Sequence, residues 1–203
     1  HFPVEIQKAN TFARAQFQAG ADVVVVADHA TGDLVSPGHY EEYLLPIHKE
    51  ITAQIEGPLI LHVCGNCRDR IELFADAGFD AYHFEWQVDA KYAVDKVGHR
   101  MSLVGNVNNP ETLFMGTPDE VYRQARYAIE AGVNIIGPEC AIALPTPLEN
   151  LKAIVSAAQE IIAKNGGYLV SIQDVARAAG ISKGAVLHYF PSKKRLFDAV
   201  FDN

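Results

Sequence analysis

A histidine and a cysteine separated by a single residue are the side chains of this chain that point most clearly to chemistry. His62 and Cys64 flank Val63, and in an extended strand alternate side chains project to the same side. An imidazole nitrogen and a thiolate make half of a tetrahedral zinc site. Cys140 follows 76 residues later, just past the apolar run 133–136. Active sites of α/β folds collect at the ends of parallel strands, so these three residues predict a metal centre.

Four further side chains are candidates for the same site. Glu85 follows the apolar run 81–84, and strand alternation would put His83 on its side, as a second ligand candidate. Cys67 completes a CxxC pair with Cys64, but the chain has no second CxxC, which disfavours a redox pair or a zinc ribbon. Asp28 ends a valine-rich run. For Asp28, binding of substrate and the capping of a loop or helix remain open alternatives.

The elements that must position these residues alternate along the chain. Apolar, β-branched runs over 23–26, 59–63, 81–84, 101–104 and 133–136 predict strands. Their lack of polar alternation is typical of a parallel sheet buried on both faces. Amphipathic segments over 37–54, 68–77, 89–97 and 117–131 predict helices between them, several ending at a glycine.

About five βα units in succession predict a parallel α/β architecture. A complete (β/α)8 barrel typically needs about 250 residues, and this chain has 203. We therefore expect the C-terminal portion of a (β/α)8 TIM-type barrel, followed by a long helix over 148–164.

The last part of the chain has a different character. Residues 171–180 and 181–190 predict two short helices joined by a glycine-containing turn, and a third helix starts at about 191. This pattern is typical of a small all-α helix-turn-helix segment. We place the boundary between the partial barrel and this segment at 160/161, giving domains 1–160 and 161–203.

Charge and composition limit the range of functions. The net charge of −8 argues against nucleic acid as a partner for the chain as a whole, yet residues 167–203 carry five basic against three acidic side chains. No stretch has the apolar length of a membrane span or the form of a signal peptide. Three cysteines in such a chain fit a reducing, cytoplasmic location and metal or catalytic use rather than disulfides.

The motifs around the predicted site resemble those of a known enzyme family. The segments that carry the resemblance are 27–37, His62 to Gly65, Glu85, 105–107, 137–140 and 146–151. Together they are similar to the methylcobamide:coenzyme M methyltransferases, which have the uroporphyrinogen decarboxylase-like fold. The resemblance covers about residues 15–160. Related proteins often carry Asp where Asn108 stands.

The resemblance implies a function and a set of ligands. It implies a zinc ion held by His62, Cys64 and Cys140, with Glu85 as the fourth ligand or a catalytic carboxylate. Asp28 and Asn106 would contact substrate, with Asp28 as a second catalytic candidate. The implied reaction moves a methyl group from a methylated corrinoid, carried by a partner corrinoid protein, to a small thiol such as coenzyme M. The alternative within the fold is a uroporphyrinogen decarboxylase-like enzyme, which needs no metal.

The C-terminal segment resembles the DNA-binding head of TetR-type regulators over about 154–203. The resemblance implies that the second motif helix enters the major groove of DNA. The residues it would place near DNA are Ser182, Lys183, Ala185, His188, Tyr189 and Lys193. A TetR-type regulator fragment is thus a second alternative function, and a structural helical cap is the alternative without DNA.

Both resemblances meet in one predicted helix, with no Gly, Ser or Pro linker between them. Relative to each family the matching part is incomplete. An unusual fusion and a joining of pieces from two genes both remain open, and we expect low or no turnover from a barrel without its first strands.

Overall fold

The computed structural model describes residues 2–164, 172–173, 176, 182–193 and 195. Within them, five parallel strands form one sheet in the order β1-β2-β3-β4-β5, so neighbours in sequence are neighbours in space. The strands are β1 (Val24–Asp28), β2 (Leu59–Val63), β3 (Ala81–His83), β4 (Ser102–Val107) and β5 (Ile135–Pro138). Each crossover between strands contains a helix, which confirms the prediction of a parallel α/β architecture.

The helices lie between and around these strands. They are α1 (Phe2–Gln18), α2 (Pro37–His39), α3 (Leu45–Gln54), α4 (Ile71–Asp76), α5 (Ala90–Val97), α6 (Pro118–Ala131), α7 (Leu148–Lys164) and α8 (Lys183–Tyr189). Two wider, π-helical turns precede α3 and follow β4, over Tyr40–Leu44 and Asn109–Phe114. Helix α1, which precedes the first strand, packs on β1 and α3.

Two apolar cores hold the sheet against its helices. The larger core joins strands β1 to β3 to helices α1, α3, α4 and α5, with Leu61, Phe74 and Tyr82 fully buried. The smaller core packs α6 and α7 against β4 through residues such as Val107, Val121 and Ala157. Burial of these side chains stabilises the sheet by roughly 25 cal/mol per Å² of apolar surface, and parallel pairing places the carboxyl ends of all five strands at one edge.

Most predicted elements are present, but several strands extend further toward their carboxyl ends. Strand β1 runs to Asp28 and β4 to Val107. The turn Cys67 to Arg70 delays α4 to Ile71, because the Arg70 N–H bonds to the Cys67 carbonyl. Helix α7 has the predicted bounds.

In the C-terminal segment, the structure describes α8 and a few other positions. Ser182 caps α8 by accepting a hydrogen bond from the Ala185 N–H, so this helix begins two residues after the predicted start at 181. Val186 and Ala176 are buried. They form a small apolar cluster with Ile172 and Phe190, which are partly buried. The predicted helix over 171–180 and the one starting near 191 otherwise lie outside the described residues. Among the described helices, none has the length and apolar character to cross a membrane.

Candidate metal centre

The three predicted ligand atoms converge at the carboxyl end of the sheet. His62 lies in β2, Cys64 follows that strand directly, and Cys140 follows β5. The His62 Nε2 is 3.1 Å from the Cys64 Sγ, and the Cys140 Sγ is 3.4 Å from both atoms. Parallel pairing of all five strands makes this possible, because it brings strand ends distant in sequence to one edge.

The size of this triangle matches the spacing of zinc ligands. Zn–S and Zn–N bonds of about 2.3 and 2.0 Å at tetrahedral angles separate neighbouring ligand atoms by about 3.5–3.8 Å. The observed edges of 3.1–3.4 Å are within a few tenths of an ångström of that range. Among the described residues, these three are the group of His, Cys, Asp or Glu whose ligand atoms all lie close together. Two sulfurs and an imidazole form a donor set that zinc favours.

The protonation states of the donors follow from their surroundings. Burial, and then the nearby His83, lower the pKa of His62, so its imidazole is neutral at pH 7 and can offer a lone pair. Burial and the hydrogen bond to Cys140 raise the pKa of the Cys64 thiol to about 12. A compensating positive charge would favour the ionised Cys64 thiol, and a bound divalent cation would supply it.

Glu85 lies beside the triangle rather than in it. Its negative charge contributes to the raised pKa of the Cys64 thiol. Its oxygens are outside the set of mutually close ligand atoms. Three protein donors with a neighbouring carboxylate resemble catalytic zinc sites, which keep one position open, more than closed structural ones.

His83, the second ligand candidate, is already engaged. Its Nε2 donates a hydrogen bond of 2.8 Å to the Pro138 carbonyl, two residues before Cys140. Its ring lies against that of His62, tilted by 41° and with centroids 4.5 Å apart. Cys67 is likewise not part of the triangle, because its buried Sγ donates to the Cys64 carbonyl. The structure thus separates one cysteine of the CxxC pair from the other.

Asp28 and Asn106, the predicted substrate contacts, bond within the protein. Asp28 pairs in register with Val63 rather than with His62, and its carboxylate accepts a 2.8 Å hydrogen bond from the His48 Nε2. The His48 Nδ1 in turn accepts from the buried Tyr40 hydroxyl at 2.7 Å. Asn106 is buried and donates to the Val88 carbonyl at 3.0 Å. The substrate-binding roles of both residues stay predictions.

The structure also shows buried polar residues near the site that sequence patterns did not predict. Glu139 is 3 % exposed and accepts the backbone N–H groups of Trp86 and Asn109, each at 2.8 Å. Burial raises the pKa of this carboxyl. His48 could have been found, since Leu45, His48 and Ile51 mark the buried face of α3 at helical spacing. No periodicity marks Glu139, whose only signal is its position before Cys140.

Comparison with known proteins identifies the family to which this fold and site belong. Residues 6–161 match the uroporphyrinogen decarboxylase (URO-D) family. The chain belongs to this family. Residues 154–200 match the bacterial regulatory proteins of the tetR family, so the two matches overlap within α7.

Individual relatives of the URO-D part are named methyltransferases and decarboxylases. Methylcobamide:CoM methyltransferase MtaA of Methanosarcina barkeri is 36 % identical over 162 residues, which are 79 % of this chain and 48 % of that protein. The methylated-thiol–coenzyme M methyltransferase of Methanosarcina mazei is 31 % identical over 174 residues, 85 % of this chain and 46 % of that protein. Uroporphyrinogen decarboxylase of Carboxydothermus hydrogenoformans is 34 % identical over 157 residues, 74 % and 44 % of the two chains.

A solved structure shares the fold. A methyltransferase from Methanosarcina mazei superposes with a TM-score of 0.74 at 35 % identity, covering 77 % of this chain and 47 % of that one. The five βα units therefore correspond to part of a TIM-type barrel, as the sequence predicted. The chain spans about half the length of the relatives it matches.

Proposed function

We propose that the URO-D part of this chain has the site of a zinc-dependent methyltransferase, which moves a methyl group from a methylated corrinoid to a thiol such as coenzyme M. The observation that carries the proposal is the triangle of His62, Cys64 and Cys140, with edges of 3.1–3.4 Å. The corrinoid donor and the thiol acceptor are inferred from the names of the relatives at 31–36 % identity.

The residues of the site divide the work. A zinc ion bound there would supply the positive charge that stabilises a substrate thiolate near neutral pH. His62 offers a neutral imidazole because its pKa is lowered. Cys64 and Cys140 give up their protons to become ligands. Glu85, whose charge acts on the Cys64 thiol, would be the carboxylate that takes the proton of the incoming thiol.

The transfer itself balances without a redox partner. The sulfur of the substrate forms a bond to the methyl carbon while the carbon–cobalt bond of the corrinoid breaks. The bonding electron pair stays on the cobalt, and the proton of the thiol leaves through Glu85 to water. The corrinoid is therefore a substrate, which a partner corrinoid protein would present at the carboxyl ends of the strands.

Metal analysis of the purified chain tests the proposal. We expect about one equivalent of zinc per chain, lost in Cys64→Ser because sulfur donors are what select zinc here. Cys67→Ser is the matched control, since it removes a cysteine three residues away whose Sγ faces the Cys64 carbonyl. Metal-free wild-type protein after purification in zinc-containing buffer would overturn the proposal. That result would favour the decarboxylase-like alternative, which relatives such as the Carboxydothermus protein represent.

A second candidate function rests on the C-terminal match. The tetR-family match over 154–200 and the serine-capped helix α8 support DNA binding by this segment. Ser182, Lys183 and His188 are exposed, as a groove-facing helix requires. With Ala185, Tyr189 and Lys193, they remain the proposed DNA-contacting residues. The Ser182 hydroxyl would have to serve DNA and the helix cap at once, so Lys183 is the sharper residue to test.

A further inference from the structure

Cys140 lies in a short segment, at the end of β5, that residues at the ends of β3 and β4 hold in place. On its N-terminal side, the Pro138 carbonyl accepts the His83 Nε2–H at 2.8 Å. The Glu139 carboxylate accepts two backbone N–H groups. On its C-terminal side, the Ala141 carbonyl accepts the Asn109 side-chain amide at 2.8 Å. We call residues 138–141 the Cys140 segment.

Glu139 is the centre of this arrangement. Its Oε2 accepts from the Trp86 N–H, in the loop after β3, and its Oε1 accepts from the Asn109 N–H, in the loop after β4. Both bonds measure 2.8 Å, and the side chain is 3 % exposed. A buried carboxylate that uses one oxygen for each of two loops leaves neither loop free to shift against the Cys140 segment.

The same bonds connect the parts of the metal centre that come from different strands. Trp86 directly follows Glu85, so the Trp86 N–H ties the loop with the neighbouring carboxylate to the segment with the third ligand. His62 and Cys64 come from β2 alone, and their spacing is set within one strand. Cys140 is the ligand whose position depends on contacts between separate loops.

We propose that Glu139 is a positioning residue, which holds the Cys140 sulfur at the distance from Cys64 and His62 that a metal ion requires. This inference rests on the proposed function, because the position of the Cys140 sulfur matters for a metal ion that binds there. That position can be tested without the proposed function. Residues that orient metal ligands typically change metal affinity 10–100-fold when mutated.

The test compares Glu139→Gln with Glu149→Gln in full chains that carry Cys67→Ser, so that Cys64 and Cys140 are the remaining thiols. In Glu139→Gln, one oxygen becomes an NH2 group that faces a backbone N–H, and one of the two bonds is lost. Glu149 is exposed in the first turn of α7 and controls for the change of charge. The probe is Co2+ alone, and the readouts are its affinity and the intensity of the thiolate-to-cobalt charge-transfer band.

We expect Glu139→Gln to bind Co2+ at least 10-fold more weakly, with a band reduced toward that of a single thiolate, and Glu149→Gln to match the parent. Asn109→Ala keeps both Glu139 bonds but loses the bond to the Ala141 carbonyl. It should weaken Co2+ binding severalfold, and it keeps the test informative if Glu139→Gln does not fold. Affinity and band intensity within twofold of the parent in both variants would overturn the inference.

A second measurement separates this inference from the proposed function. Phenylarsine oxide bridges two thiols held a few ångströms apart: two As–S bonds form and the oxygen leaves as water. The metal-free parent should bind it with loss of both titratable thiols, and Glu139→Gln should need at least 10-fold more. If the parent binds no metal but this difference holds, the positioning role stands and the zinc proposal fails. If the parent binds metal and the variants bind phenylarsine oxide equally well, the positioning role fails and the zinc proposal stands.

Discussion

Cys64 is the residue on which the pH dependence of the site turns. Its sulfur lies 3.4 Å from that of Cys140 and beside Glu85. Burial and these two neighbours raise the pKa of its thiol to about 12. In the metal-free protein the thiol therefore keeps its proton throughout the range in which the chain can be handled, and a metal must displace that proton to bind.

This proton gives the first prediction at the scale of residues. Between pH 6 and 8, the apparent affinity for Zn2+ should rise by about one decade per pH unit from Cys64 alone, because one proton is released for each metal bound. A chelator competition at several pH values measures the slope. In Cys64→Ser the affinity should fall and the slope should be shallower by about one. A wild-type affinity independent of pH would contradict the role of Cys64 as a ligand.

Asp28 gives the second prediction, on stability. Burial acts to raise the pKa of its carboxyl, but the hydrogen bond from His48, together with the nearby backbone N–H groups of His29 and Ala30, outweighs it, and the pKa is lowered. A carboxyl with a folded pKa below its unfolded value of about 3.9 stabilises the fold above that pH. This contribution is lost as the pH falls from about 4 through the folded pKa.

Urea unfolding between pH 5 and 3 measures the effect. Asp28→Asn should lower the free energy of unfolding at pH 5 and flatten its fall toward pH 3. Asp95→Asn is the control, because Asp95 and its partner Lys91 are both more than half exposed and such pairs contribute little. Equal pH dependence in wild type and Asp28→Asn would show that the contact with His48 does not favour the ionised carboxyl.

At the scale of elements, a buried side chain that joins a helix to a neighbouring loop stabilises the fold. The Asn150 side chain is 1 % exposed, and its amide donates to the carbonyls of Leu113 and Gly116, each at 2.9 Å. These carbonyls belong to the wide turn after β4 and its exit. Asn150 thus joins the start of α7 to the wide turn that follows β4.

Removing this amide should destabilise the fold measurably. Asn150→Ala leaves two carbonyls without their partner, at a cost of about 1–3 kcal/mol, and each kcal/mol lowers Tm by about 2–4 °C in a domain of this size. Thermal unfolding followed by circular dichroism measures the shift. Ser156→Ala removes an exposed bond to the Lys152 carbonyl on the same helix and should leave Tm nearly unchanged. A shift no larger than that of the control would show that water replaces the amide.

The elements also show what sequence patterns could and could not predict. Apolar runs in the sequence identified all five strands of the described sheet. The one-residue spacing of His62 and Cys64 predicted that both side chains point to the same side. The apolar runs missed the ends of β1 and β4, because the predicted runs end at Val26 and Val104, whereas pairing continues to Asp28 and to Val107. The polar residues at these two strand ends, Asp28 and Asn106, bond to His48 and to the Val88 carbonyl. The bonds of Glu139, which cross three loops, depend on tertiary structure and leave no local pattern.

At the scale of the whole molecule, charge is unevenly distributed along the chain. Residues 167–203 have two more basic than acidic side chains, while the net charge of the whole is −8. A TetR-type head would have to bind DNA next to an acidic URO-D part. Repulsion between that part and phosphate is screened as salt rises, whereas attraction to the basic segment weakens with salt through the release of counterions.

The last prediction concerns this balance, measured on the full chain by fluorescence titration with duplex DNA. We expect binding that falls between 50 and 200 mM salt, as for any protein that neutralises several phosphates. If a single head contacts the DNA, binding will also be weak and of low specificity, because the contacts to a second half-site are then missing. Lys183→Ala should weaken it. Lys91→Ala, which removes an exposed lysine of α5, should not. No binding at low salt would reduce the segment to a structural cap. Binding that Lys183→Ala leaves unchanged would mean that α8 does not face the groove.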